Sequence, residues 1–267
     1  MDIAAKPAAP LELWGGVECS IVRIGDRFRD QVAETGHRER DGDLDLIAGL
    51  GVRAVRYPVV WESVDPDGTG EFDFAWHDKR LARLRALGLR VIAGLVHHGS
   101  GPRSTSLLDP AFPEKLGGFA AAAARRYPWI EDWTPVNEPL TTARFSCLYG
   151  HWYPHQRDYR AFLVALANQC SGSLAAMRAI RAVVPGARHI STEDLGKTFS
   201  TRSLAGQARH ENRRRWLSLD LLCGRVDRAH AFRRSFEEAG VAVSRLDDLT
   251  SGDGMPDIVG INHYLTS

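Results

Sequence analysis

Cysteine is scarce in this 267-residue chain, and what there is stays unpaired. Cys19, Cys147, Cys170 and Cys223 lie far apart, and no two of them form a Cys-x-x-Cys unit. A zinc knuckle or a disulfide framework is therefore not expected, and free thiols in a cytoplasmic protein are the plain reading. Net charge is nearly absent as well. The chain carries 34 basic and 33 acidic side chains, a formal +1. That balance gives no reason to expect nucleic acid or an anionic membrane as a partner. No apolar run approaches the roughly 20 residues that span a bilayer. The longest alanine stretch, residues 120–124, gives way at once to Arg125 and Arg126. Residues 1–10 carry one lysine and no apolar segment, so they do not read as a secretory signal. Phosphate-binding glycine loops are missing too: neither a G-x-G-x-x-G nor a Walker A pattern occurs where a strand would lead into a helix.

What the chain does have is alternation. Short β-branched runs at residues 11–17, 52–61, 89–96, 130–136, 188–193 and 257–264 are separated by longer helical patterns. Continuous apolar runs of this length suit strands buried on both faces of a parallel sheet. Helices are expected at 43–50, 76–87, 113–126, 159–184, 212–223 and 229–239. The second of these places Leu81, Leu84 and Leu87 at three-residue spacing and then meets Gly88. Gly51 closes the first in the same way, and Pro185-Gly186 ends the fourth.

Repeated βα units imply an α/β fold with helices covering a parallel sheet. A (β/α)8 TIM barrel needs eight such units, and about six are present, so the reading is an incomplete barrel forming one partial domain over residues 1–267. A doubly wound open sheet is the alternative, but it usually announces a glycine-rich loop after its first strand, where this chain has Glu18-Cys19-Ser20. The sequence ends three residues after Tyr264, just past a strand with no helix to cover it. The expectation is a fragment, or one part of a longer protein.

The strongest chemical signal is Trp133-Thr134-Pro135-Val136-Asn137-Glu138-Pro139 at the end of the fourth strand run. In a barrel, that end is the catalytic face. Pro139 is expected to hold Glu138 extended, keeping its carboxylate at the strand tip, and Asn137 beside it offers both a donor and an acceptor. Arg56-Tyr57-Pro58-Val59-Val60-Trp61 closes the second run, His97-His98 the third and Gly260-Ile261-Asn262-His263-Tyr264 the sixth. Pro58 inside a strand implies a local bulge or a missing ladder bond.

These motifs, in this order, resemble the family 1 glycoside hydrolases, the β-glucosidase group, from about Leu13 to the last residue. The resemblance implies a retaining double-displacement hydrolase of O-glycosidic bonds that acts on a carbohydrate substrate without a cofactor or metal. Glu138 takes the acid/base role, and Asn137 holds the sugar 2-hydroxyl. Arg56 matches the arginine of the family's Arg-Phe-Ser-Ile-Ser-Trp strand and would face the nucleophile carboxylate. His98 matches the strand-three histidine that binds a sugar hydroxyl. Asn262 lines the site, and Tyr264 would hydrogen-bond the nucleophile. The nucleophile itself belongs to a Thr-Glu-Asn-Gly motif on a seventh strand, for which this sequence has no counterpart, so the chain alone is expected to be inactive.

Two positions depart from the family pattern. The first-strand glutamine that grips the sugar has no clear match between Gly15 and Ser20, where Glu18 is its stand-in. The tryptophan after the strand-three histidine is Gly99 here. Those departures motivate a second reading, a non-catalytic sugar-binding or regulatory barrel tied to sugar-nucleotide metabolism. Its partner would be the missing part of the barrel or a fused reductase domain, since similar chains can carry one. Glu193, at the tip of the fifth run, is either a substitute nucleophile or a polar residue lining or bracing the site. Arg56 could equally be a structural ion pair, and His98 a satisfied core histidine. Phe145, Tyr149, Trp152 and Tyr153 either stack on sugar rings or pack the loop after Glu138. His151 and His155 are four apart, but Pro154 disfavours a helix that would aim both at one metal. Arg213-Arg214-Arg215 reads as a solvated helix face.

Overall fold

The computed structural model describes residues 11–264; residues 1–10, read above for a signal sequence, lie outside them. The strands in chain order are β1 (Trp14–Gly16), β2 (Ile21–Ile24), β3 (Arg27–Asp30), β4 (Ala54–Pro58), β5 (Arg90–His97), β6 (Asp132–Asn137), β7 (Arg188–Glu193) and β8 (Ile258–Ile261). Six of them form one parallel sheet in the order β1-β4-β5-β6-β7-β8. Each strand of that sheet pairs with the next one along the chain. A doubly wound sheet reverses its order at a switch point, and no reversal occurs here. The architecture is an incomplete TIM barrel, with β1 and β8 at its two edges.

The helices between sheet strands follow the sequence pattern closely. They include α2 (Asp43–Gly49) after the short α1 (Gln31–Glu34), then α3 (Trp61–Val64), α4 (Ala75–Ala86) and α5 (Phe112–Arg126). After β6 come α6 (Pro139–Ala143), a π-helical turn over Arg144–Leu148, and the long α7 (Tyr159–Val183). The expected helix at 212–223 is instead two: α8 (Ala205–Arg214) begins earlier, and α9 (Leu217–Leu222) restarts after a break at Arg215-Trp216. α10 (Arg233–Glu238) and α11 (Val243–Leu249) complete the crossover to β8.

Period-two alternation gives the sheet two different faces. Val55 and Tyr57 of β4 and Val91, Ala93 and Leu95 of β5 belong to the large core under the helices. Ala54, Ile92 and Ile190, with Ile258 against them, form a separate small layer on the other face, inside the curve of the half-barrel. The helix layer is tightest where α5 meets α7. A Cβ on Gly172 would come within 3.1 Å of Leu116 and 3.2 Å of Phe112, so the missing side chain lets the two helices close.

Residues 21–30, between the first and second strand runs, form an antiparallel hairpin of β2 and β3, turned at Gly25 with φ +59°. Pro58 introduces no bulge: β4 keeps register with β5 through Pro58↔Gly94, and Val59 N–H resumes the ladder to Gly94 at 2.9 Å. Pro58 lacks a donor but sits at the end of its strand, where that loss is tolerated. The irregularity lies in β6, where register with β7 shifts between Trp133 and Asn137, the stretch that contains Pro135. Bulges of this kind gather next to active sites, where they re-aim a side chain. No helix among the described residues is long and apolar enough to cross a membrane.

Candidate active site

The C-terminal ends of the strands bring the motifs together. Asn137 is the last residue of β6, Thr192 lies near the end of β7, and Arg56 projects from β4. Arg56 Nη1 donates to Asn137 Oδ1 at 2.6 Å and to Thr192 Oγ1 at 3.2 Å, and the Thr192 hydroxyl donates to Asn137 Oδ1 at 2.8 Å. Asn262 Nδ2 adds a third donor to that oxygen at 3.3 Å. The amide orientation of Asn137 follows from this set, and its Nδ2 is left to donate to His98 Nε2 at 3.2 Å. His98 then carries its proton on Nδ1 and gives it to Thr142 Oγ1 at 3.0 Å. Burial, with Arg56 adding to it, pushes the His98 imidazole down to about 4, so the ring is neutral.

Glu138 stands at the centre of this network and is 1% exposed. Asn262 Nδ2 and the Tyr264 hydroxyl both donate to its Oε1, the latter at 3.3 Å, and His98 Nε2 lies 3.8 Å from Oε2. Burial raises the carboxyl above its ordinary value, against the pull of those two donors, and Asp194 adds to the rise. Burial also pushes the Tyr264 phenol up to about 12, with Glu138 as its second cause. The backbone of Glu138 is not extended, as Pro139 had suggested. It sits at φ 46°, ψ 65°, in the left-handed region, as does His98 with φ 59°. Proline excludes the right-handed helical region for the residue before it, and tertiary contacts select the left-handed alternative. Non-glycine residues rarely adopt it, and such strain gathers at functional sites.

A cavity of about 400 Å³ opens over this cluster. Glu138, His98, Tyr264, Asp194 and Glu18 line it, and the hairpin side adds Ser20, Arg29 and Gln31. Arg56, Asn137 and Asn262 stand behind the cavity-facing groups. Glu193 does not join them. It is wholly buried and its carboxylate is turned to the start of α6, accepting from Leu140 N–H at 2.9 Å. Burial pushes it up to about 7. Among the loop aromatics, Phe145 and Trp152 line the cavity, stacked at 4.7 Å, with Trp152 against His98 at 5.2 Å. Tyr149 packs behind Phe145, and Tyr153 lies under the Arg23 guanidinium at 4.0 Å. His155 uses both ring nitrogens on the backbone of Gly25 and Gly150.

Sequence reasoning missed two residues. His97, buried, stands between Cys19 Sγ at 3.2 Å and Glu18 Oε2 at 3.8 Å and so backs the one carboxylate offered by the first strand. Burial, then His98 and Arg56, holds its imidazole well below the usual range. Glu62 fills the space beside Gly99: a Cβ on Gly99 would fall 1.8 Å from Glu62 Oε1 and 2.8 Å from the Ile21 carbonyl. Glu62 Oε1 accepts from Gly101 N–H at 2.8 Å, and its Oε2 has no hydrogen-bond partner among the described residues. The glycine that departs from the family motif is thus matched to a buried carboxyl that no motif contains.

Comparison with known proteins bears on the fold and on the relatives of the chain. No protein-family profile matches the chain. A β-glucosidase of Agrobacterium sp. is 27% identical over 150 residues, 52% of this chain and 32% of that protein. β-Glucosidase 4 of Oryza sativa is 28% identical over 141 residues, 49% of this chain and 29% of that protein. The chain spans about a third of the length of these relatives. Among solved structures, the family 1 β-glucosidase of Thermotoga maritima in complex with isofagomine lactam superposes with a TM-score of 0.74 at 19% identity, covering 85% of this chain and 54% of that one. The chain has part of the TIM-barrel fold that this β-glucosidase carries. Its six strands make up an incomplete version of that barrel, and its sequence relatives are β-glucosidases and related glycosidases.

Proposed function

We propose that this chain carries the acid/base half of a retaining glycoside hydrolase acting on β-glycosides. The observation that supports the reading most is the environment of Glu138: a buried carboxyl facing the cavity at the strand tips, with its proton affinity raised chiefly by burial. A carboxyl whose proton affinity is raised in this way is suited to give a proton to a leaving glycosidic oxygen. In the second half of the reaction it takes a proton from the attacking water.

The neighbours fit supporting roles. Asn137, fixed by Arg56 and Thr192, braces neutral His98 from behind, and His98 presents its ring to the cavity where a sugar would sit. Arg56 reaches the network from β4, where a guanidinium would favour the charged form of a second carboxylate brought close to it. Retention requires such a carboxylate about 5–5.5 Å from the acid. The family resemblance places it on a seventh barrel strand, and the described sheet has six strands. On this reading Trp152 and Phe145 lie where a leaving group would rest.

The test is a barrel completed by two further βα units carrying a strand-seven glutamate. Hydrolysis of an aryl β-glucoside, followed by proton NMR of the first-formed sugar, should release the β-anomer. Release of the α-anomer, or no hydrolysis by a folded completed barrel, would overturn the proposal.

A further inference from the structure

Helix α6 starts with backbone N–H groups that no carbonyl within the helix can satisfy. The residue at the helix start ordinarily folds its own side-chain oxygen back onto the second or third of them. Glu138 occupies that position and makes no such bond. Pro139 has no N–H to offer. Leu140 N–H donates instead to Glu193 Oε2 at 2.9 Å, and Thr141 N–H and its hydroxyl both approach Glu193 Oε1, at 3.4 and 3.3 Å. Glu193 ends the neighbouring strand β7 and has no exposed surface. We propose that Glu193 is a positioning residue: by capping α6 from the next strand, it leaves the Glu138 carboxyl free to face the cavity.

The surrounding geometry supports this division of labour. Glu138 N–H donates to the Thr192 carbonyl at 3.0 Å, so the tip of β7 holds the turn by both its backbone and its last side chain. The left-handed backbone of Glu138 persists only where its neighbours over-determine it. Without Glu193, the nearest acceptor in sequence for the vacant N–H groups is Glu138 itself. Its carboxylate would swing onto the helix start, out of reach of Asn262 and Tyr264. This inference deepens the acid/base reading above. Its test follows a carboxyl titration and not turnover, so the two can fail separately.

The experiment is a ¹³C NMR titration of glutamate-labelled 267-residue chain, with the Glu138 carboxyl assigned by the signal lost in Glu138→Gln. Glu193→Gln and Glu193→Ala both remove the charge beside Glu138, and the other groups facing it (His98, Asp194 and Tyr264) are unchanged. Only glutamine retains an oxygen to accept from α6. Helix-start N–H groups favour a charged carboxylate. Glu138 should therefore titrate about one pH unit lower in the alanine variant than in the glutamine variant. Equal midpoints would overturn the proposal. Should the alanine variant not fold, Glu193→Asp, which keeps the charge but is one methylene short, is expected to lower the Glu138 midpoint relative to the unaltered chain, and an unchanged midpoint there would overturn it equally.

Discussion

Glu62 shows how one buried side chain decides both a fit and a pH response. Burial pushes its carboxyl up to about 7. A group whose folded value is raised gives its full contribution below the unfolded value near 4.5, and that contribution is lost as pH rises through 7. The raised value corresponds to about 3 kcal/mol at most. Relative to the unaltered chain, Glu62→Gln should therefore gain stability as pH rises from 5 to 8.5, by about 3 kcal/mol at most, while the responses of the buried histidines and of Glu193 are common to both proteins and cancel in the difference. A difference in urea midpoint that does not change with pH would count against Glu62 as a source of the pH response. Gly99→Ala tests the fit: its Cβ would meet Glu62 Oε1 and the Ile21 carbonyl, so it should cost about 1–3 kcal/mol in urea unfolding. Adding Glu62→Ala should recover only part of that, because the carbonyl remains. The sequence showed Gly99 as a departure and Glu62 as a carboxylate following the second strand, outside the nucleophile's position, but nothing in it joined the two.

At the scale of elements, most of the architecture was legible because it rests on periodicity. The strand runs at 188–193 and 89–96 and the helices at 76–87 and 113–126 match β7, β5, α4 and α5 to within a residue. What was not legible has short-range causes. The β2–β3 hairpin has only four residues a side and carries arginines on both strands, so no apolar alternation marks it. The α6 helix and its π-helical extension begin at a left-handed Glu138 that Pro139 alone did not determine. Candidate site residues were found where a motif fixed them, as at Asn137, Glu138, Asn262 and Tyr264. Glu193 was placed correctly at a strand tip, but its direction depended on the free N–H groups of a helix the sequence did not reveal. The α5–α7 contact offers a test at this scale. Gly172→Val would push Leu116 and Phe112 apart and should cost about 1–3 kcal/mol. Unfolding at an unchanged urea midpoint would mean that the helices have room to spare.

At the scale of the whole molecule, the six-strand sheet of the described residues has β1 and β8 as its two unpaired edges. Val259 and Ile261 on β8 are 47% and 64% exposed, and Leu46 on α2 and Leu50 just after it, beside the β1 edge, are 72% and 71% exposed. Unpaired parallel edges with apolar flanks invite association. The 267-residue chain alone should sediment as more than a monomer at micromolar concentration, and Ile261→Lys should shift it towards monomer. A monodisperse monomer before substitution would show that these edges are tolerated. The cavity between the hairpin side and the tips of β6 to β8 holds its carboxyl acid in place. The central claim is that Glu138 gives a proton to the departing oxygen, and leaving-group dependence in the completed barrel tests it most directly. An alkyl glucoside needs that proton and a dinitrophenyl glucoside scarcely does. Glu138→Gln should slow cleavage of the alkyl glucoside by about 10²–10⁴-fold and leave the glycosylation step with the dinitrophenyl glucoside within a few-fold of its original rate. Equal loss on both substrates would contradict the account.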